Sequence, residues 1–341
     1  MTIELKWGVI GCGSIANEFV RSMNRHCKRN NKVVAVAASS FQRASEFVKN
    51  QELDNAIAYG SYAELIRDDN VDVVYIALLN HMHLEWTIKL LEARKHVLVE
   101  KPMGVNGREV KEIVAKAREM NKFVMEGMCT LFLPVWSKVQ ETIRSEELGK
   151  VKLFHCNFGV DLPPSRRVLE HGESPITDIV VYCIATALHV FGNESPTSIH
   201  VVGEKDATGV EKYANITLRF TDDRHSVIYF NANNFTPCSA FASFEKGQIQ
   251  IPEVFWCAER CTTITGDLKG ERETFEFPTE NPASRPFNSD GLHLEADHVY
   301  DKITNGEIES DVYSLSTSIK VHEILDAIRR ELTVEYPQDK K

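Results

Sequence analysis

The chain has 341 residues, 43% of them hydrophobic and 26% charged, with a formal net charge of -10. This length is too great for one ordinary hydrophobic core and comfortable for two, so a globular protein of two domains is expected. An acidic balance with no block of Lys or Arg excludes nucleic acid phosphates and anionic membrane surfaces as natural partners, leaving small molecules and other protein chains. The first residues run straight into an apolar strand with no charged leader, and no stretch approaches the ~18 apolar residues of a membrane span, so a cytoplasmic protein is expected. Eight scattered cysteines lack the paired spacing of a zinc site and read as reduced thiols, with no metal expected.

In chain order, an apolar run over 5–10 ends in Gly11-Cys12-Gly13-Ser14-Ile15-Ala16, and 17–23 continue with helical periodicity: strand, glycine turn, helix. A strand over 33–38, a helix over 41–50, a strand over 71–79, a helix over 84–93, a strand over 96–99, a helix over 107–120 and a strand over 123–125 follow. That alternation predicts a doubly wound parallel α/β sheet. Beyond it the pattern changes. A helix over 136–145 leads to strands at 151–158, 198–202, 214–220, 226–230 and 248–251, with one long helical stretch over 176–191. Successive strands broken by turns predict a largely antiparallel sheet faced by a few helices. A stretch over 280–290, rich in Pro, Ser and Asn, reads as a loop, and helices over 291–304 and 312–332 close the chain. The expected division is a Rossmann domain over 1–124 and an α+β domain over 125–341 with a large, mostly antiparallel open sheet.

The glycine turn has a physical reading. A first glycine permits the tight turn, a second lets backbone approach a pyrophosphate, and a small third residue lets helix and strand pack closely. Gly11, Gly13 and Ala16 fill those roles, and the helix begun by Ser14 and Ile15 points its positive end at the phosphates. The tip of the second strand chooses the cofactor. An acid there binds a ribose 2′-hydroxyl, whereas small polar and basic residues accommodate a 2′-phosphate. The tip reads Ala38-Ser39-Ser40-Phe41-Gln42-Arg43 and holds no acid, so NADP is favoured over NAD, with Ser39, Ser40 and Arg43 as candidate phosphate contacts.

At the end of the strand 96–99, Glu100-Lys101-Pro102 delivers a lysine to the mouth where ligands gather in open α/β sheets. These residues, with the GCGSIA turn, Asn80-His81-Met82-His83 and Thr177-Asp178-Ile179-Val180-Val181-Tyr182, resemble the Gfo/Idh/MocA oxidoreductases. Within that family, 101–106, 125–127 and the ending Tyr336-Pro337-Gln338-Asp339-Lys340-Lys341 are similar to the branch of dimeric dihydrodiol dehydrogenases and NADP-dependent D-xylose dehydrogenases. The resemblance implies hydride transfer between NADP and a secondary alcohol or carbonyl of a sugar or cyclic diol, with the substrate between the Rossmann domain and the open sheet. Lys101, Asp178 and Tyr182 are the implied catalytic residues; Asn80, His83 and Glu100 join Lys101 at the cofactor, and a homodimer through the C-terminal sheet is implied. Asp178 and Tyr182 are spaced i, i+4, on one face of one helix. Departures from the branch are Cys129 for its tryptophan and Leu131 for its arginine, which subtract a wall and a cation from the region expected to face substrate and favour a smaller or more apolar ligand. The alternative is a catalytically silent, dinucleotide-binding regulator of the same fold.

Overall fold

The computed structural model describes residues 3–267, 269–278 and 289–340. They form two compact units: Met1–Gly104 with Arg108–Cys129 and Ser289–Ser318, and Val105–Gly107 with Thr130–Asn288 and Ile319–Lys341. Most of the loop read over 280–290, up to residue 288, lies outside the described residues.

The first unit holds six strands, β1 (Leu5–Ile10), β2 (Asn31–Ala37), β3 (Ile57–Tyr59), β4 (Val73–Ile76), β5 (His96–Glu100) and β6 (Val124–Gly127). All pair in parallel in the order β3-β2-β1-β4-β5-β6. The connections run through helices α1 (Ser14–His26), α2 (Phe41–Asn50), α3 (Tyr62–Ile66), α4 (His83–Glu92) and α5 (Gly107–Met120). This is the Rossmann order, whose direction reverses between β1 and β4 and leaves a crevice at their carboxyl ends. Helix α1 forms because Ala16, Phe19, Val20 and Met23 recur at i, i+3, i+4 and i+7, and all four are buried. Phe19 stacks on Tyr75 of β4 at 3.9 Å between ring centroids. The strand expected over 71–79 shortens to β4, while β3 and α3, three and five residues long, are too short for periodicity to reveal.

The second unit begins with α6 (Pro134–Ser145) and β7 (Val151–Gly159), continues through α7 (Val181–Val190), and then adds β8 (Ser198–Lys205), β9 (Glu211–Arg219), β10 (His225–Asn231), β11 (Ala240–Phe244), β12 (Gly247–Ile251), β13 (Arg260–Thr265) and β14 (Arg272–Glu276). The sheet order is β14-β13-β12-β11-β7-β10-β9-β8, antiparallel except where β10 lies beside β7. Alternation puts Phe154, Cys156 and Phe158 of β7 and Ile228 and Phe230 of β10 on a buried face. Helix α7 packs against β7, which explains why it is apolar on nearly every side. Leu153, His155, Val227, Tyr229 and Phe241 share the opposite, partly exposed face. Strands β11, β13 and β14 were not expected from the sequence. Small residues blunt the signal of β11, threonines that of β13, and β14 is an edge strand with mostly exposed, charged positions.

Two further helices complete the described chain, α8 (His293–Thr304) in the first unit and α9 (Leu315–Glu331) spanning the boundary at Ser318. Asp297 of α8 accepts the Lys28 and Arg29 amides at 2.8 and 3.0 Å, seating that helix beside the C-terminus of α1. Among the described residues, no helix is long and apolar enough to cross a membrane.

Candidate active site

At the end of β1 the turn requires glycine: Gly11 has φ +99°, and a Cβ there would lie 2.2 Å from the Ala77 carbonyl oxygen. Gly13 faces open space, with nothing within 4 Å of a Cβ built on it. It caps α1 without a side-chain hydrogen bond, and the first turn holds no acid, so the helix presents its positive end there. Ser14 is exposed, Ile15 half-buried and Ala16 fully buried against the sheet. An open cradle at an acid-free helix N-terminus fits a pyrophosphate. At the tip of β2, Ser40 caps α2 by accepting the Arg43 amide, and Arg43 Nη1 donates to Ser39 Oγ at 3.1 Å. Burial pushes the Cys12 thiol up to about 11, and the Arg43 guanidinium opposes that rise.

The Lys101 turn is fastened from within. Lys101 is half-buried and joined to Pro102 by a cis peptide. On one side of it the Tyr75 hydroxyl donates to Glu100 Oε1 at 2.5 Å; on the other, the Met103 amide donates to Glu126 Oε1 at 2.9 Å. His83 is fully buried, with Nδ1 2.7 Å from the Pro102 carbonyl and Nε2 3.1 Å from that of Leu78. Burial lowers its pKa, the two carbonyl contacts opposing, so the ring is neutral and donates to only one of them. His83 thus braces the Lys101 turn with both ring nitrogens turned to backbone. Asn80 lies half-buried in the short turn Asn80–Met82 after β4.

Sequence reasoning named Glu100 but missed Glu126 and Glu295, the other buried acids behind this turn. A Cβ on Gly127 would lie 3.4 Å from both Glu100 Oε1 and Glu295 Oε2, so the two carboxyl groups converge over one glycine. Burial first, and then the charge of Glu100, drive Glu295 well above the carboxylate range. Glu295 is therefore neutral, and its Oε1 has no hydrogen-bond partner in the structure. A signal existed: Glu295 shares the buried stripe of α8 with Ala296 and Val299, and Glu126 sits inside a wholly buried strand.

In the second unit, Pro175 precedes a turn of π-helix, Ile176–Val180, which runs into α7. The single helix expected over 176–191 is thus wound differently at its start. The Ser174 amide donates to Thr177 Oγ1 at 3.0 Å, and Thr177 Oγ1 donates to the Gly172 carbonyl at 2.9 Å. Such side-chain bonds compete with regular helix bonds, and π turns recur at functional sites. Asp178 lies in this wide turn and its Oδ1 accepts from Arg166 Nη1 at 3.1 Å. Half-buried Tyr182 has its ring 6.2 Å from Phe158. Phe158 stacks on Trp256 at 3.8 Å and meets Phe255 edge-on at 5.7 Å, so an aromatic wall that the sequence did not reveal stands beside Tyr182. Leu131 is buried, and the Thr130 hydroxyl donates to the Trp256 carbonyl at 2.8 Å. Ser39 and Arg43 are thus brought into contact, Glu100, Lys101 and His83 meet at one turn, and Asp178 and Tyr182 share one helical stretch. Lys101 belongs to the first unit and the latter pair to the second.

A Rossmann sheet with a glycine cradle, in one chain with a large open sheet, defines a nicotinamide-dinucleotide oxidoreductase built from two units. The chain belongs to the Gfo/Idh/MocA oxidoreductase family: residues 5–128 match its NAD-binding Rossmann fold and residues 136–250 its C-terminal domain. Over 341 residues it is 32% identical to trans-1,2-dihydrobenzene-1,2-diol dehydrogenase of Homo sapiens, covering 99% of this chain and 100% of that one. Identity to the Mus musculus protein of the same name is 33%, with the same coverage. Levoglucosan dehydrogenase in complex with NADH and levoglucosan shares the fold, with a TM-score of 0.84 at 19% identity over 98% of this chain and 100% of that one. So does a 3-ketoreductase from Actinomadura kijaniata in complex with TDP-benzene and NADP, with a TM-score of 0.78 at 22% identity over 96% of this chain and 97% of that one.

Proposed function

We propose that the chain is an NADP-dependent dehydrogenase interconverting a secondary alcohol and its carbonyl on a cyclic diol or sugar. The observation that carries this reading is the Lys101 turn, an amine at the strand ends of a dinucleotide sheet whose neighbours Glu100, Pro102 and Met103 are each tied to a buried side chain. A bound nicotinamide dinucleotide supplies the hydride acceptor or donor. The chain's own residues handle the proton: as hydride leaves carbon, the hydroxyl proton must pass to a general base. Tyr182 is assigned that transfer, Lys101 is its electrostatic partner, and Asp178, held by Arg166, orients the substrate hydroxyls.

NADP rather than NAD is supported by the Ser39–Arg43 contact at the tip of β2. The Phe158–Trp256 wall and the buried Leu131 favour a flat, weakly charged ring, in keeping with the diol named for the curated relatives. Nucleotide binding is assigned to residues 1–124, and substrate binding and dimerisation to 125–341. The apolar and aromatic side chains on the open sheet face support a homodimer, and eight scattered cysteines without paired spacing fit the reducing cytosol. Parallel fluorescence titrations with NADPH and NADH test the nucleotide half of this reading. NADPH should bind the more tightly, and Arg43→Ala should weaken NADPH by about tenfold, ~1.4 kcal/mol, while leaving NADH nearly unchanged. Equal affinities in the parent protein would overturn the NADP assignment.

A further inference from the structure

The last residues of the chain do more than end it. Tyr336 is fully buried, and its hydroxyl lies 2.6 Å from Ser174 Oγ. Ser174, itself fully buried, accepts the Ile176 amide at 3.2 Å on Oγ and the Asp178 amide at 2.9 Å on its carbonyl. The Tyr336 hydroxyl therefore reaches Asp178 through one intervening residue. The other hand of the tail is Asp339, whose Oδ1 accepts from Asn106 Nδ2 at 2.9 Å, five residues after Lys101. The next residue, Gly107, donates its amide to Asp326 Oδ2 at 2.9 Å. Buried Arg329 ties the parts together. It donates to Asp339 at 2.6 and 3.1 Å and to Asp326 at 2.6 Å, and its guanidinium lies 4.0 Å over the Tyr336 ring. Gln338 Nε2 donates to the Glu170 carbonyl at 2.8 Å, and Asp339 Oδ2 accepts the Tyr336 amide at 2.8 Å, closing the tail on itself.

We propose that residues 336–340 form a positioning strap that holds two segments in place, the start of the helical stretch bearing Asp178 and Tyr182, through Tyr336 and Ser174, and the segment following Lys101, through Asp339 and Asn106. Tyr336 and Asp339 are positioning residues, and the proposal rests on the catalytic roles assigned above to Lys101, Asp178 and Tyr182. The strap explains a chemical peculiarity of the tail: a buried arginine is shared by two carboxylates and an aromatic ring although Pro337, Asp339 and Lys340 are exposed. Its action is geometric, since a displacement of about 1 Å at a reacting group can cost about a hundredfold in rate.

Hydrogen exchange by mass spectrometry, with steady-state kinetics and NADPH titration, tests this on full-length Tyr336→Phe and Asp339→Asn. A chain ending at Glu335 serves as a third variant, and Val334→Ala removes buried packing from the same tail without touching its hydrogen bonds. Tyr336→Phe should speed exchange across 172–182 and Asp339→Asn across 105–110. Each should lower kcat about tenfold or more with the NADPH Kd unchanged. Val334→Ala should lower the melting temperature and leave kcat within about twofold. The strap is overturned if exchange in those segments is unchanged in the point variants, or if Val334→Ala costs as much kcat as Tyr336→Phe. Should the parent protein turn over no diol or sugar, the functional reading fails by itself; exchange still decides the strap, faster exchange upholding it and unchanged exchange refuting it.

Discussion

At the scale of single residues, the first unit concentrates buried acids behind one lysine. Glu100 receives the Tyr75 hydroxyl, Glu126 receives the Met103 amide, and Glu295 stays protonated because burial and the neighbouring Glu100 both disfavour its charge. A neutral acid has a neutral isostere. Glu295→Gln is therefore expected to keep the fold and most of the activity, with stability within about 1 kcal/mol of the parent. A loss of several kcal/mol in its urea unfolding would show that Glu295 is charged in the native protein. The glycine cradle and Lys101 were legible in the sequence because each is a local motif at the end of an apolar strand. The convergence of Glu100 and Glu295 over Gly127 was not, since it joins residues nearly 200 positions apart. His83 shows the limit of motif reading from another side. Its position could be read, but its buried, neutral, bracing role depends on two carbonyls that only the fold supplies.

At the scale of elements, long apolar strands and amphipathic helices followed the sequence, and short or edge elements did not. Helix α1 and strands β1 and β5 carry a continuous hydrophobic signal, whereas β14 has little buried face to leave one. The π turn at Ile176–Val180 was invisible because it depends on Ser174 and Thr177 hydroxyls drawing backbone bonds to themselves. The same region carries a pH-dependent element. Glu211 of β9 is fully buried, accepts from Ser174 Oγ at 3.2 Å, and burial pushes it up to about 7, with Arg329 opposing and Asp206 reinforcing the rise. Its pKa is higher in the native state than in the unfolded chain, so the native state binds the extra proton. Stability from this group is complete below about 4.5 and is lost as pH climbs to about 7, by ~3 kcal/mol in all. Glu211→Gln should remove that slope. Comparing urea-unfolding midpoints of parent and variant between about pH 5 and about pH 8 checks it, and parallel curves would show that Glu211 titrates normally.

For the whole molecule, the question is what covers the open sheet. His155 stacks on Phe241 at 5.2 Å across neighbouring strands, and Val227 and Tyr229 lie on the same face. Val202 of edge strand β8 is 74% exposed, more than a solvated strand needs. A symmetric pair of such faces would bury them in an isologous interface. Light scattering should therefore return twice the chain mass, and Phe241→Asp should shift it towards the monomer while the Rossmann unit still binds NADPH. A parent protein that scatters as a monomer at micromolar concentration would show that the sheet face is not a dimer interface.

Turnover is decided by following NADP reduction by the full-length protein with trans-dihydrobenzenediol and a panel of pentoses and hexoses, beside Lys101→Met. NADPH should form with at least one diol or sugar, and kcat should fall by about a hundredfold or more in Lys101→Met with NADPH affinity retained. Tight NADPH binding without turnover of any of them by the parent protein would contradict the proposed activity, and would identify the chain as a dinucleotide-binding regulator that keeps the fold and its fastened lysine without the chemistry.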